Sequence, residues 1–363
     1  MKKVLFIATV VQKHINVFHL PFLKMLQEEG YRTYVAASND TDKEDVAIPY
    51  CDEYAEIAFQ RNPLHPGNFK AYRNLKKLIR ENDFDIIHCH TPVGGLLGRL
   101  AARDARKKGT RVFYTAHGFH FYKGAPLKNW LFYYPVEKFC SYVTDKLITI
   151  NTEDYELAKN KFKAKEVHYV PGVGIDLSRF ETVQVDRSTK RKEIGVPEEA
   201  FLLISVGELN ENKNHQVIVR ALAKLNDSNM HYAIAGIGEK AAELTDLANA
   251  LGVGDRVHLL GFRTDVAELY KTADLYIHPS FREGLPVAVM EAMASKTTVL
   301  ASRIRGCQDI VSDNLFDPHD VNSLIEKLQN YRHNGELDEI FSLKNIIKRM
   351  VDLYEDTSSA EFQ

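Results

Sequence analysis

Two glutamates, Glu283 and Glu291, stand with seven residues between them in the stretch IHPSFREGLPVAVMEAMAS, residues 277–295. The apolar run Leu275-Tyr276-Ile277 reads as a buried parallel strand; a turn with Glu283, Gly284 and Leu285 follows, and Pro286 opens a helix. Proline suits the first helical position, where its missing N–H costs nothing. Free N–H groups in the first helical turn, with the positive end of the helix dipole, favour an anion above the strand ends. Gly284 lets that backbone come close. Helical side chains lean toward their N-terminus, so Glu291 points to the same space as Glu283. Its neighbours 287–290 and 292–294 are apolar, and an unpaired carboxylate is costly to bury there. Two carboxylates flanking an anion site suit a polyol on each side of a diphosphate, which is the shape of a nucleotide sugar.

Other residues of matching chemistry follow strands. GELNENKN, residues 207–214, offers Gly207 and the cation Lys213; Gly236 closes another strand; Gly261-Phe262-Arg263 follows a third. TAHGFH, residues 115–120, places His117 and His120 at a strand end, and the loop 12–19 carries His14 and Asn16. No metal is expected, because the histidines show no H-E-x-x-H or comparable short spacing and His88-Cys89-His90 alternates faces of a strand. Asp40-Thr41-Asp42 beside Asn39 reads as a turn. No side chain is arranged as an activated nucleophile with its base.

Short Val/Ile/Leu runs alternate with amphipathic helical stretches twice along the 363 residues. Strands are expected at 4–10, 33–37, 55–59, 86–89, 112–116, 147–150 and 167–170, then at 202–206, 232–235, 257–260, 275–277 and 298–301. Continuous apolar runs imply strands covered on both faces, hence parallel sheets with flanking helices. Two such sheets in series make an α/β protein of two doubly wound, Rossmann-like domains, with ligand at the carboxyl ends of their strands. The expected domains are 1–180 and 181–340, with a polar hinge around 181–191, a helix within 341–363 returning to the first domain, and a disordered tail at 356–363. The four cysteines are scattered and read as free thiols of a reducing cytosol. The start, MKKVLFI, has too short an apolar run for a signal peptide, and no stretch is apolar for the ~18 residues a membrane span needs.

Residues 1–180 hold 27 Lys+Arg against 20 Asp+Glu, and the remainder 20 against 29, so the first half is basic although the whole is nearly neutral. Its positives fall on helical patterns: Arg73, Lys76, Lys77 and Arg80, then Arg99, Arg103, Arg106, Lys107 and Lys108, followed by Trp130, Phe132, Tyr133 and Tyr134. Such a face suits an anionic membrane surface. A pI near 6.7 argues against nucleic acid.

The pattern E-G-L-P-x-x-x-x-E after a strand ending in H-P-S resembles the E-x7-E signature of retaining glycosyltransferases of the GT-B fold, family 4 in particular. R-N-P-L at 61–64, A-H-G-F-H-F-Y-K-G at 116–124 and V-P-G-V-G-I-D at 170–176 resemble its bacterial capsule and exopolysaccharide members. The resemblance implies that Glu283 and His117 contact the transferred sugar, Glu291 the ribose, Gly284 and Leu285 the diphosphate through their N–H groups, and Lys213 the diphosphate charge. Gly207 and Gly236 would border the donor, the turn with Phe262 and Arg263 would read uracil, and His14, Asn16 and His120 would serve the acceptor. It further implies transfer from a UDP-sugar, without cofactor, to a lipid-linked saccharide at the cytoplasmic face of the membrane. Two departures stand out. Glu208 occupies the place of the family's usual Arg, and the N-G loop expected after Val311 is absent, with Leu315-Phe316-Asp317-Pro318 arriving early. Another GT-B enzyme, such as a UDP-sugar epimerase, or a sugar-nucleotide-binding protein with a degenerate site, is the alternative.

Overall fold

The computed structural model describes residues 1–42, 46–334 and 337–355 and divides into two compact units, Met1–Gly174 with Lys344–Gln363, and Ile175–Leu343. Unit 1 contains strands β1 (Lys3–Val10), β2 (Arg32–Ser38), β3 (Glu53–Glu56), β4 (Ile86–Cys89), β5 (Arg111–Ala116), β6 (Lys146–Thr149) and β7 (Glu166–Tyr169), in the order β3-β2-β1-β4-β5-β6-β7. Unit 2 contains β8 (Phe201–Val206), β9 (Met230–Ala235), β10 (Val257–Gly261), β11 (Leu275–His278), β12 (Val299–Ser302) and β13 (Leu315–Phe316), in the order β10-β9-β8-β11-β12-β13. Every pairing within these strands is parallel. Two doubly wound parallel sheets result, as the continuous apolar runs imply.

β1 shows why a parallel strand must be apolar throughout. Leu5 and Ile7 enter one core of unit 1, Val4 and Phe6 the core on the other face, and all four are fully buried. The helix Leu343–Glu355 completes that second core with Ile346, Met350, Leu353 and Tyr354. Its final carbonyls would otherwise be orphans. Arg111 donates to the Tyr354 carbonyl at 2.6 Å, and Lys146 Nζ donates to that of Leu353 at 2.9 Å.

Several expectations change in the folded chain. The third strand covers 53–56 rather than 55–59, because Tyr34 to Ala37 of β2 pair with Glu53 to Glu56; Ile57 and Phe59 still bury their side chains beyond the strand's end. The early Leu315-Phe316 forms an edge strand that pairs with Ala301 and Ser302. Residues 181–191 lie within unit 2, where the helix Arg187–Glu193 begins, and its buried Arg191 donates to Asp274 at 2.7 Å. The unit boundaries lie at 174/175 and 343/344, and the tail 356–363 falls outside the described residues.

The basic and aromatic surface is also redistributed. Arg99 is 1% exposed, donates to Glu137 at 2.7 Å and lies against the Tyr114 ring, so it supports the core rather than a surface. Arg106 is engaged by Asp145 at 2.9 Å. Trp130, Tyr133 and Tyr134 pack against the unit 1 core, while Phe132 faces outward at 72% exposure. A helix three or four turns long alternates faces every few residues, and a run of four aromatics cannot all point one way.

The Tyr354 hydroxyl shares a hydrogen bond with buried His88 Nδ1, linking the last helix to β4. Tyr354→Phe leaves that nitrogen unpaired and is expected to cost about 1–3 kcal/mol. Tyr354→Ala adds a cavity, for a loss of about 3–5 kcal/mol. Shifts of the denaturant midpoint in unfolding curves measure both.

Candidate active site

In a doubly wound sheet, ligands collect where the strand order reverses, because loops leaving adjacent strands there diverge. In unit 2 this point lies between β8 and β11. The loop after β8 carries Lys213 in the short 3₁₀ turn Glu211–Lys213, and the loop after β11 carries Glu283. Asn210 caps the turn by accepting from Lys213 N–H at 3.0 Å. Three hydrogen bonds tie the two loops together: Phe281 N–H to the Asn212 carbonyl at 2.8 Å, Asn212 Nδ2 to the Arg282 carbonyl at 3.1 Å, and Asn214 Nδ2 to the Pro279 carbonyl at 3.2 Å.

Lys213 Nζ therefore donates to Glu283 Oε1 at 2.7 Å. His278 Nε2 lies 3.2 Å from the same oxygen, and its Nδ1 is 3.0 Å from the Tyr276 hydroxyl. A carboxylate only accepts, so His278 carries its proton on Nε2 and takes the Tyr276 proton at Nδ1. Burial by itself would raise the Glu283 carboxyl, but the hydrogen bond of His278 and the charge and hydrogen bond of Lys213 outweigh it and hold the group well below the usual carboxylate range. Burial lowers His278, against the pull of Glu283. The outcome is an ionised carboxylate whose direction is set by a lysine and a neutral imidazole.

Glu291 sits in the helix Val287–Ala294, with Pro286 as its extended N-cap rather than its first helical residue. Burial raises its carboxyl, opposed by a 3.1 Å hydrogen bond from the Tyr270 hydroxyl and by the charge of Arg179. The two acids thus differ sharply: one is held charged by partners, the other is penalised for its charge. The close approach in this loop is made at Gly306, where an added Cβ would lie 2.3 Å from the Gly284 carbonyl oxygen and φ is +76°. Arg305 Nε donates to the Glu283 carbonyl at 3.2 Å, so segment 305–306 closes against the backbone at 283–284. Gly236 stands against the Gly207 carbonyl, 1.8 Å from where its Cβ would be, and Leu285 is buried.

Two further expected donor residues lie apart from this pair. Phe262 is 74% exposed after β10, and Arg263 is held by Asp265, with Nε to Oδ1 at 2.8 Å, and by Glu193. Sequence reasoning missed His278, Tyr276 and Arg305. The H-P-S string at the strand end was a usable signal for His278; Arg305 had none, since it approaches from a neighbouring strand's loop.

Unit 1 repeats the arrangement at its own reversal, between β1 and β4. After β1 the chain enters a π-helix, Val11–His19, carrying His14 and His19; His90 follows β4 and His117 follows β5. His14 Nε2 lies 3.1 Å from His19 Nε2, and His117 Nε2 lies 3.4 Å from His90 Nδ1. Burial lowers all four; His14 falls to about 4, and the other three, pressed further by neighbouring histidines, fall well below their ordinary value. They are neutral at physiological pH. No short ligand spacing joins these histidines along the chain, yet the sheet gathers four of them. His120 stacks on Tyr133 at 4.6 Å, and Asn16 Nδ2 donates to Gln12 Oε1 at 2.9 Å. Asp40 Oδ1 accepts from Gln12 N–H at 2.6 Å, so the D-T-D segment braces the π-helix start.

Two doubly wound parallel-sheet units define the GT-B class, and solved structures of that class share the whole fold. Sucrose-phosphate synthase from Thermosynechococcus elongatus superposes with a TM-score of 0.79 at 18% identity, covering 98% of this chain and 99% of that one. Anabaena Alr3699/HepE in complex with UDP and glucose gives 0.77 at 18% identity, covering 98% and 100%. Residues 3–151 match the family described as Glycosyl transferase 4-like, and residues 186–346 match Glycosyl transferases group 1. The chain is 40% identical to the Bacillus subtilis (strain 168) protein named for glycosyltransferase EpsD, over 97% of this chain and 96% of that one. It is 28% identical, over 80% of each chain, to an Escherichia coli UDP-Gal:alpha-D-GlcNAc-diphosphoundecaprenol alpha-1,3-galactosyltransferase. The protein belongs to this group 1, family 4-like family of glycosyltransferases.

The opposite environments of the two acids set a test by pH. The depressed Glu283 group contributes stability above its unfolded value that is lost as pH falls through the folded one, so Glu283→Gln is less stable than wild type at neutral pH and converges with it in acid. The raised Glu291 group carries a penalty that grows as pH climbs from its unfolded to its folded value, so Glu291→Gln gains relative stability over that window. Denaturant unfolding across the acidic range, with both variants beside wild type, reads the two opposite slopes.

Proposed function

We propose that the protein is a retaining glycosyltransferase that moves a hexose or N-acetylhexosamine from a UDP-sugar to a polyprenyl-diphosphate-linked saccharide in capsule or exopolysaccharide synthesis. The observation that carries this reading is the Lys213–Glu283 pair at the strand reversal of unit 2, with a helix N-terminus beside it. The names of two relatives support the donor and acceptor classes: the E. coli enzyme above, and a Campylobacter jejuni N,N'-diacetylbacillosaminyl-diphospho-undecaprenol alpha-1,3-N-acetylgalactosaminyltransferase, 26% identical over 93% of this chain.

In the proposed reaction the acceptor hydroxyl oxygen bonds to the anomeric carbon on the face from which the UDP oxygen leaves. The hydroxyl proton passes to that departing diphosphate oxygen, so no protein base is consumed. Lys213, the N–H groups of Gly284 and Leu285 and the helix dipole carry the developing diphosphate charge, without a metal at that position. Glu283, already ionised and oriented, accepts hydrogen bonds from sugar hydroxyls, and Glu291 accepts from the ribose. Gly207, Gly236, Phe262 and Arg263 border the donor more distantly. From unit 1, His117 serves the sugar, and His14, Asn16 and His120 the acceptor.

Incubation with labelled UDP-sugars and polyprenyl diphosphate saccharides should give a lipid-linked product whose anomeric configuration matches the donor's. Donor turnover without acceptor would instead mark an epimerase, and UDP binding without turnover a degenerate site. Lys213→Ala is expected to lower kcat by about 10²–10³. Glu291→Ala chiefly weakens UDP binding, by about tenfold or more, as loss of a hydrogen bond to a charged group implies.

The acceptor reading extends to a peripheral position on the inner face of the cytoplasmic membrane. Among the described residues no helix is long and apolar enough to cross a membrane. The helix Leu127–Ser141 turns Leu127, Leu131, Phe132 and Phe139 outward, beside exposed Lys123 and Lys128. An apolar face rimmed by lysine suits an anionic interface. Leu131→Glu with Phe132→Glu should abolish sedimentation with phosphatidylglycerol vesicles and leave UDP affinity unchanged; undiminished sedimentation would reject this face.

A further inference from the structure

We propose that His14, His19, His90 and His117 form a binding site for a divalent transition-metal ion, Zn²⁺ by ligand chemistry, in unit 1. Each offers one ring nitrogen, and the four nitrogens lie within 4.8 Å of one another. Two of the six separations, 3.1 Å for His14–His19 and 3.4 Å for His90–His117, lie near the edge of about 3.3 Å that a tetrahedral ion with Zn–N bonds of about 2.0–2.1 Å requires, and the others, at up to 4.8 Å, would contract on binding.

The local fold is organised for this convergence. His14 and His19 are five residues apart, a spacing that an α-helix would spread around its circumference. The Val11–His19 segment is π-helical, where residues i and i+5 are hydrogen-bonded neighbours, so both imidazoles share a face. His90 and His117 leave the adjacent parallel strands β4 and β5 at the same carboxyl edge.

His19 and His90 are 1% and 2% exposed, and the nitrogens that they turn to the cluster, His19 Nε2 and His90 Nδ1, lie 3.1 Å from His14 Nε2 and 3.4 Å from His117 Nε2. His88, immediately beside them, shows the contrast: its two nitrogens are taken by Tyr354 and, at 2.8 Å, by the Thr115 hydroxyl. His14 and His117, the less buried pair, also line a cleft of about 290 Å³ with Tyr114, His120 and Tyr133. Four neutral ligands leave the ion's charge uncompensated, so the centre presents positive charge on the wall of that cleft. The ion would bind His14 and His117 through Nε2, which leaves their Nδ1 atoms for the acceptor and sugar roles proposed above, and its detection needs no turnover.

The test is metal content and Co²⁺ titration on the untagged full-length chain. After dialysis, elemental analysis should find about one Zn²⁺ per chain, and the chelated protein should take up Co²⁺ with the intense visible bands of a tetrahedral centre. His14→Gln and His117→Gln, at the less buried positions, should each weaken Co²⁺ binding by about tenfold or more, while His120→Gln leaves it intact. Retained UDP binding confirms that the variants are folded and separates this result from the donor reading. Absence of stoichiometric Zn²⁺ together with no visible Co²⁺ bands, or Co²⁺ binding unchanged in both His14→Gln and His117→Gln, overturns the proposal.

Discussion

Parallel pairing is the constraint on which the rest of the molecule depends. Strands that run the same way must be joined by crossovers, so all their carboxyl ends, and the loops that leave them, gather on one edge of each sheet. Where the order reverses, neighbouring loops turn apart and leave a crevice. In unit 2 that crevice receives Lys213 from one side and Glu283 from the other; in unit 1 it receives the π-helix from one side and His90 from the other. One rule of sheet topology thus assembles both groups of chemically active side chains.

Within those crevices, the direction of each side chain comes from its secondary partners. Glu283 is poised because Lys213 and His278 hold it, and His278 in turn is held by Tyr276. Tyr276 and His278 belong to β11, which pairs with both β8 and β12, so the carboxylate is held from an interior strand of the sheet. Glu291 is treated differently, its charge opposed by burial and softened only by the Tyr270 hydroxyl and the field of Arg179. A half-buried acid with so little support is costly to the fold. Its place in the middle of the helix Val287–Ala294 is consistent with a hydroxyl-rich ligand that supplies further hydrogen bonds.

Much of this was legible in the residues. Apolar runs such as Val4 to Ile7 and Leu202 to Ile204 announce strands covered on both faces, and the E-x7-E string announces the pair of acids. Less legible were features made by residues distant in the chain. Arg99 sits in a basic helical pattern that reads as surface, yet Glu137, thirty-eight residues later, draws it inside. Gly306 meets Gly284 and Arg305 meets the Glu283 carbonyl only because β11 and β12 are neighbours. β13 is two residues long and has no periodicity to detect; it exists because β12 offers an edge.

The amino-acid order alone determined the class of fold, the alternation of strands and helices, and the local motif around Glu283 and Glu291, since hydrophobic period and turn chemistry act over a few residues. Tertiary structure decided which side chains meet. It joined Lys213 to Glu283 across seventy positions, turned Arg263 toward Asp265 and Glu193, and brought His14, His19, His90 and His117 into one cluster. The reason is physical: the position of a strand in a parallel sheet is set by packing of its crossover helices on both faces, and no stretch of sequence carries that order by itself.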